Sequence, residues 1–386
     1  MVSGEQAFLL TALADHLHGR KTAVPDAVDQ AALCRLAAEQ EVEAILYYQL
    51  RAPALYASYA SALYLSARRR TLLSALRREF SDAGIPFLIF KGPEISQYYP
   101  EPALRAMGDL DILVSAAHKA QAGAVLERLG FRTEVTDPEN TNEWAYRKEA
   151  QEVELHHRLL YDDHTNEALH IAFTDRVWEH ISTEDGSFCH LEPEFHFVFL
   201  LLHLRKHFLW AGVGIRMFTD IAVMMKNAGL DRQKVADYLS RLSLLPFARI
   251  CFALIGRWFG IAPIIEAAPI TEEFYDLATE TILSDGIFGR RDEADLSRRS
   301  VANAVRKQGR LRSTLAFLFP PYSQIRTKYP RMGKYPILLP LLWLRRMADA
   351  VLQRKAGTRA RYAVRHWTMP GDELTSREAL LKSWGL

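Results

Sequence analysis

The chain has 386 residues, 49% of them apolar and 24% charged, with a formal net charge of +2. This is an ordinary globular composition, long enough for two domains and their cores, and it lacks the low-complexity tracts and short-period repeats of disordered or solenoid proteins. Cys34, Cys189 and Cys251 are too scattered for a disulfide framework or a zinc spacing, MVSGEQAFLLTALADHLHGR does not read as a secretory leader, and the longest apolar run, Ile337 to Leu344, is short and broken by Pro340, so a reducing cytoplasm is the expected compartment.

Residues 1–84 read as helical. Gln30 to Leu50 and Tyr56 to Phe80 hold strong helix formers with apolar residues at helical spacing, and RRRTLLSALRREF has an Arg-rich outer face. Gly84 and Pro86 end that run. The pattern then changes. Phe87 to Phe90 is a short apolar strand, Gly92 to Tyr99 a short helix, Asp109 to Val114 a second strand, and Ala116 to Leu129 a helix stopped by Gly130. Phe131 to Val135, Glu143 to Lys148 and Glu152 to His156 complete the strands. The order predicts an α+β fold, with a small mixed sheet carrying helices on one side.

Beyond about residue 165 the sequence reads as helix again. EFHFVFLLLHLRKHFLW is apolar on every side, which predicts a buried helix, and Ile215 to Asn227, Asp231 to Ser243 and Pro246 to Phe259 follow it. The last part is basic and rich in proline and aromatics, with a final helix over Leu341 to Ala356. Residues 301–366 hold fifteen Lys or Arg against one acid, Asp349, which leaves the rest of the chain with 33 bases and 45 acids. A solvated basic face, or one packed on the acidic remainder, is the plain reading; a surface for phosphate-bearing partners or anionic lipid is the functional one. For ILLPLLWLRRM the plain reading is a buried helix with a basic end, and the functional one is peripheral contact with a membrane through 301–366. The organisation expected is therefore a helical region at 1–84, a core at 85–190, a helical domain at 191–300 and the basic region at 301–386.

Asp109 and Asp111 are two apart at the start of a strand, so both carboxylates leave on one face while Leu110 and Ile112 face the core. Paired carboxylates suit a hard cation such as Mg²⁺. The spacing is weak alone, because a chain with 46 acids holds several such pairs by chance. Glu154 adds a further carboxylate, on one strand face with Glu152 and His156. Three carboxylates from adjacent strands are what a metal-assisted phosphoryl displacement needs.

The run FLIFKGPEISQYYPEPALRAMGDLDILV, residues 87–114, resembles the uncharacterised nucleotidyltransferase family of the polymerase-beta nucleotidyltransferase superfamily. It shows Lys91-Gly92 after an apolar strand, Tyr99-Pro100, Arg105, Asp109-x-Asp111 and Leu113-Val114. VELHHRL at 153–159 is similar to the family's later acidic-Leu-His strand, and LRKHF, RMFTDIAVMM and FPPYSQIRTKYP are weaker matches. The resemblance implies a polymerase-beta-like core over 85–190 with Mg²⁺ or Mn²⁺ as cofactor and an NTP as substrate. It implies Asp109, Asp111 and Glu154 as metal ligands, Glu154 also as base, and Lys91, Gly92 and Arg105 against the triphosphate. Where the superfamily usually has Gly or Ser, this chain has Pro93, which offers neither hydroxyl nor N–H; Ser96, one turn on, is the substitute donor.

Other candidates are less specific. His203 and His207 lie one turn apart and read first as packed histidines, then as zinc ligands. Lys206 or His207 would face an acceptor pocket if their helix covers the sheet. Arg216 and Asp220 read equally as an i,i+4 pair and, by the resemblance, as cleft residues. His156 and His157 read evenly as helpers of the metal ligands or ordinary strand residues. Trp178, Trp210 and Trp343 read as packing. The expected activity is transfer of a nucleoside monophosphate to an acceptor that the sequence does not specify. The alternatives are an inactive nucleotide-sensing or partner-binding member, which Pro93 favours, and a peripheral membrane or assembly protein. The acidic bulk of the chain argues against nucleic acid as the partner.

Overall fold

A computed structural model describes residues 2–23, 28–134, 143–161, 167–285, 301–306, 308–322, 325, 329, 335–352 and 356–386. The N-terminal region is helical: α1 (Gly4–Leu17), α2 (Gln30–Glu39), α3 (Glu43–Leu50) and the long α4 (Tyr56–Asp82). Ser3 and Gln6 form a capping box on α1, and the Asp29 carboxylate accepts from Ala31 and Ala32 to start α2. The helical stretch read over 30–50 is divided at Glu41, whose φ is +53°. Beside that break the buried Gln40 side chain donates to the Ile282 and Leu283 carbonyls and accepts from the Ile215 N–H at 2.7 Å. The kink thus ties three distant segments together.

The sheet has seven strands in the order β3-β4-β5-β2-β1-β7-β6. They are β1 (Phe87–Ile89), β2 (Leu110–Val114), β3 (Arg132–Thr133), β4 (Glu143–Lys148), β5 (Gln151–His156), β6 (Ile181–Asp185) and β7 (Phe188–Leu191). The five strands expected between 85 and 160 all form, and the α+β class holds. β6 and β7 correct the expectation of unbroken helix after 165. Their signal was in the sequence: Asp185-Gly186 opens a two-residue hairpin turn, with Gly186 at φ +63°.

Side chains alternate across the sheet. Phe87, Ile89, Leu110, Ile112, Val114, Val153 and Leu155 pack on Leu72, Leu76 and Phe80 of α4 and on Ala122, Val125 and Leu126 of α6 (Lys119–Arg128). Leu88, Phe90 and Leu113 face the other way, into a larger core built with α7 (Ala168–Thr174), α8 (Pro193–Trp210), α9 (Ile215–Asn227), α10 (Arg232–Arg241) and α11 (Leu245–Phe259). The apolar α8 is buried along most of its length, as its composition requires. Its His196 donates from Nε2 to the Phe90 carbonyl at 2.9 Å, which pins the helix to the end of β1. The helical region therefore roofs the sheet face that carries the acidic side chains.

The helix at Leu339–Leu352 is not the last, since Ala356–Thr368 and Gly371–Ser383 follow. It is buried on one side only: Leu342 is fully buried, but Leu341 and Leu344 are 53% and 60% exposed, as is Ile337 at 88%. Trp384, beyond the last helix, is buried against Phe208, Phe247 and Phe274 and closes the large core.

Candidate active site

The site begins with a register. β2 and β5 run parallel, with Asp111 beside Glu154 and Leu113 beside His156. With Leu110, Ile112, Val153 and Leu155 committed to the α4–α6 core, the alternation sends Asp111, Glu154 and His156 to the opposite face. Asp109 lies just before β2 and lines a cleft together with Asp111, Lys91, Gly92, His203 and His207. The loop into β2 is held by a residue the sequence placed on an outer face: Arg69 of α4 donates to the Gly108 carbonyl at 2.8 Å and to that of Met107 at 3.2 Å.

Lys91 extends from the end of β1 and donates to Asp111 Oδ1 at 2.8 Å. Burial opposes its ammonium, but Asp111, Asp109 and Glu154 outweigh that and lift its pKa above the ordinary lysine value. The carboxylates respond unequally. Burial pushes Asp111 up, yet Lys91 and His156 against it hold it at about 2. Burial pushes Asp109 up too, and the charges of Asp111 and Glu154 add to that, bringing it to about 6. Asp109 thus takes up a proton at a much higher pH than Asp111 does.

Gly92 follows at φ +47°, a backbone that only glycine adopts readily, and an added Cβ would meet Met107 Sδ at 3.4 Å. Pro93 then occupies the first position of the short helix α5 (Pro93–Ser96), where its missing N–H is no loss to the helix. The Glu94 N–H closes back on the Lys91 carbonyl, those of Ile95 and Ser96 on the Gly92 carbonyl, and the Ser96 hydroxyl donates to the Pro93 carbonyl at 2.9 Å. Ser96 is buried within this turn and does not line the cleft.

The opposite wall comes from the helical region. Arg105 and Asp220 form a buried two-pronged pair, Nε to Oδ1 and Nη2 to Oδ2, both at 2.7 Å, and the Tyr99 hydroxyl donates to Asp220 Oδ1 at 2.8 Å. Asp220 thus pairs with Arg105 rather than with Arg216, one turn away. Arg216 instead donates to the Ala106 carbonyl at 2.8 Å and lies 3.2 Å from Glu41. Glu41 was not foreseen, because it sits at the kink of the N-terminal helices and nothing in its own sequence neighbourhood points to the cleft. The His203 and His207 rings pack with centroids 4.5 Å apart. Burial, their mutual influence and the Lys91 charge lower His203 well below the usual histidine value, and burial with Lys91 and Lys206 lowers His207 to about 4, so both are neutral at neutral pH. Lys206 is half-buried and does not line the cleft.

Among the described residues, Asp111, Glu154 and His156 are the one group of three or more side chains whose ligand atoms converge as for an ion, all within 4.8 Å of one another. His156 separates from His157, which turns to Lys119 at 3.4 Å. Four acids, Glu41, Asp109, Asp111 and Asp220, line the cleft against three bases, Lys91, Arg105 and Arg216. Asp111, Glu154 and His156, with Asp109 beside them, bring oxygen and nitrogen donors to one edge, and such a donor set fits a divalent cation.

With this geometry in place, the chain can be set beside known proteins. Residues 26–260 match the family described as uncharacterised nucleotidyltransferase. No curated protein and no solved structure matches the chain.

Proposed function

The chain belongs to the uncharacterised nucleotidyltransferase family, whose match spans well over half of it, and from that premise we propose that it moves a nucleoside monophosphate from an NTP to an acceptor hydroxyl or phosphate, releasing pyrophosphate. The observation that carries this reading is the register of β2 and β5, which sets Asp111 beside Glu154 on the face roofed by α8. Asp109, Asp111 and Glu154 would hold Mg²⁺ or Mn²⁺, and the cation when bound would draw charge from the α-phosphate oxygens and assist ionisation of the acceptor.

The remaining work falls to the chain's own groups. Lys91 fixes Asp111 in place and offers a positive charge to the phosphates opposite it. Gly92 lets the backbone approach without a side chain. Glu154, whose side chain is 23% exposed against 3% for Asp111, is the carboxylate open enough to take the acceptor's proton. The wall built from Arg216, His203 and His207 is the acceptor side. Arg105 acts through Asp220 as a positioning residue. The test is incubation with α-phosphate-labelled NTPs and Mg²⁺ or Mn²⁺. Label should appear on the protein itself or on a component of a cell extract, and vanish with Asp109→Ala; nucleotide binding without any transfer would favour the non-catalytic, nucleotide-sensing reading.

A second reading concerns the basic region. The exposed line Ile337, Leu341 and Leu344 lies within a stretch where bases outnumber acids fifteen to one. Apolar exposure flanked by positive charge supports contact with an anionic lipid surface. No helix among the described residues is long and apolar enough to cross a membrane. Flotation with phosphatidylserine vesicles, with and without residues 301–386, tests this; failure of the full chain to float removes it.

A further inference from the structure

His156 is the residue at this site that a three-carboxylate reading leaves unexplained. It is 6% exposed, and neither ring nitrogen makes an aligned hydrogen bond. Yet Nε2 lies 3.2 Å from Asp111 Oδ1 and 3.3 Å from Glu154 Oε2. Nε2 is thus an ion-pair partner of both carboxylates without the alignment of a hydrogen bond to either, an arrangement that asks for an explanation. The spacing supplies one, because oxygen and nitrogen atoms bound about 2.0–2.2 Å from one ion are themselves roughly 3 Å apart.

The surroundings hold the ring in that pose. Phe90 meets it edge-on, with centroids 5.2 Å apart and planes at 80°, and Tyr161 stacks on it at 6.5 Å and 29°. On its far side Nδ1 faces the Glu143 carboxylate at 3.7 Å, from the neighbouring strand β4. A carboxylate behind the distal nitrogen of a metal-bound histidine is a recurrent arrangement, since it fixes the tautomer that leaves the near nitrogen free to coordinate.

We propose that Asp111, Glu154 and His156 form a mixed oxygen–nitrogen site that binds a divalent first-row transition metal in preference to Mg²⁺, with His156 Nε2 as a direct ligand. Mg²⁺ wants oxygen donors and near-octahedral geometry, whereas an imidazole nitrogen strengthens binding of transition metals. Asp109 lies outside this trio but lines the cleft, where it remains available to a cation carried in with the nucleotide. The inference rests on the reading above only in placing a cation at this edge.

The probe is Mn²⁺ alone, added to the full chain without nucleotide and followed by electron spin echo spectroscopy, which detects a directly bonded ¹⁴N, alongside calorimetric titration with Mn²⁺ and Mg²⁺. The expected results are a ¹⁴N coupling in the wild type, its loss in His156→Ala, and a Mn²⁺ affinity that drops about tenfold or more while Mg²⁺ affinity changes little. Glu143→Gln should keep the nitrogen coupling and weaken Mn²⁺ by roughly tenfold. Mn²⁺ that binds without any ¹⁴N coupling in the wild type overturns the role of His156 and leaves the nucleotidyltransfer reading standing. No binding of either metal, even with NTP present, overturns both. The wild-type spectrum decides the matter even if His156→Ala does not fold.

Discussion

Arg105 can be a clamp for the fold or a cation for phosphate, and the two roles make opposite predictions. The guanidinium and the Asp220 carboxylate are about 5% and 10% exposed, and they meet through two bonds of 2.7 Å. Replacing Arg105 by Met fills similar volume but leaves the buried Asp220 carboxylate with the Tyr99 hydroxyl as its remaining donor among the described residues. Breaking one partner of such a pair costs about 3–5 kcal/mol, whereas exchanging both for apolar residues is close to neutral. Urea unfolding of Arg105→Met, Asp220→Leu and the double variant should therefore show two strongly destabilised single variants. The double variant should lie within about 1–2 kcal/mol of wild type, giving a large coupling energy. The clamp reasoning is refuted if Arg105→Met unfolds at the wild-type urea concentration while NTP binding falls, because the guanidinium would then serve the ligand rather than Asp220.

Asp109 gives a pH prediction. Its folded pKa of about 6 lies above the ordinary 3.8, so the native state holds a proton the unfolded state has lost between those values. Stability falls as pH rises through that window, and the full deficit is present above about 6. In EDTA at pH 7.5, Asp109→Asn should be more stable than wild type by on the order of 1–3 kcal/mol, and the gap should close near pH 4; a variant that is less stable at pH 7.5 contradicts the crowding of charges. Glu154→Gln should lower label transfer by about a hundredfold or more without a matching loss of fold, whereas Asp111→Asn should lower it as far and also destabilise the fold because Lys91 loses its partner, read by product formation and circular dichroism. Gly92→Ala, forced to φ +47° with Met107 Sδ 3.4 Å from the new Cβ, should cost about 1–3 kcal/mol and weaken NTP binding, read by thermal melting and nucleotide titration.

Much of the site was legible along the chain because strand alternation is a local rule. Asp109-x-Asp111 and Glu154-x-His156 needed only a period of two to be put on common faces, and Gly84, Pro86 and Gly130 marked where helices stop. α8 declared its burial by being apolar all round. The hairpin at 181–191 was legible in Asp185-Gly186, but its strands are short and flanked by helical sequence. The basic C-terminal helix looked buried because an apolar run does not say which of its sides finds a partner.

What the amino-acid order determined by itself is therefore the set of elements and the face on which each acidic side chain leaves its strand. Only the tertiary structure decided which strands lie side by side. The parallel pairing of β2 with β5 brings Asp111 to Glu154 across more than forty residues of intervening chain, and no local periodicity encodes that register. The same holds for Arg105 with Asp220 and Arg216 with Glu41, and for the buried nitrogen of His156 between two carboxylates. Charges choose partners by distance in space, and burial then fixes their strength, so both wait on the packed fold.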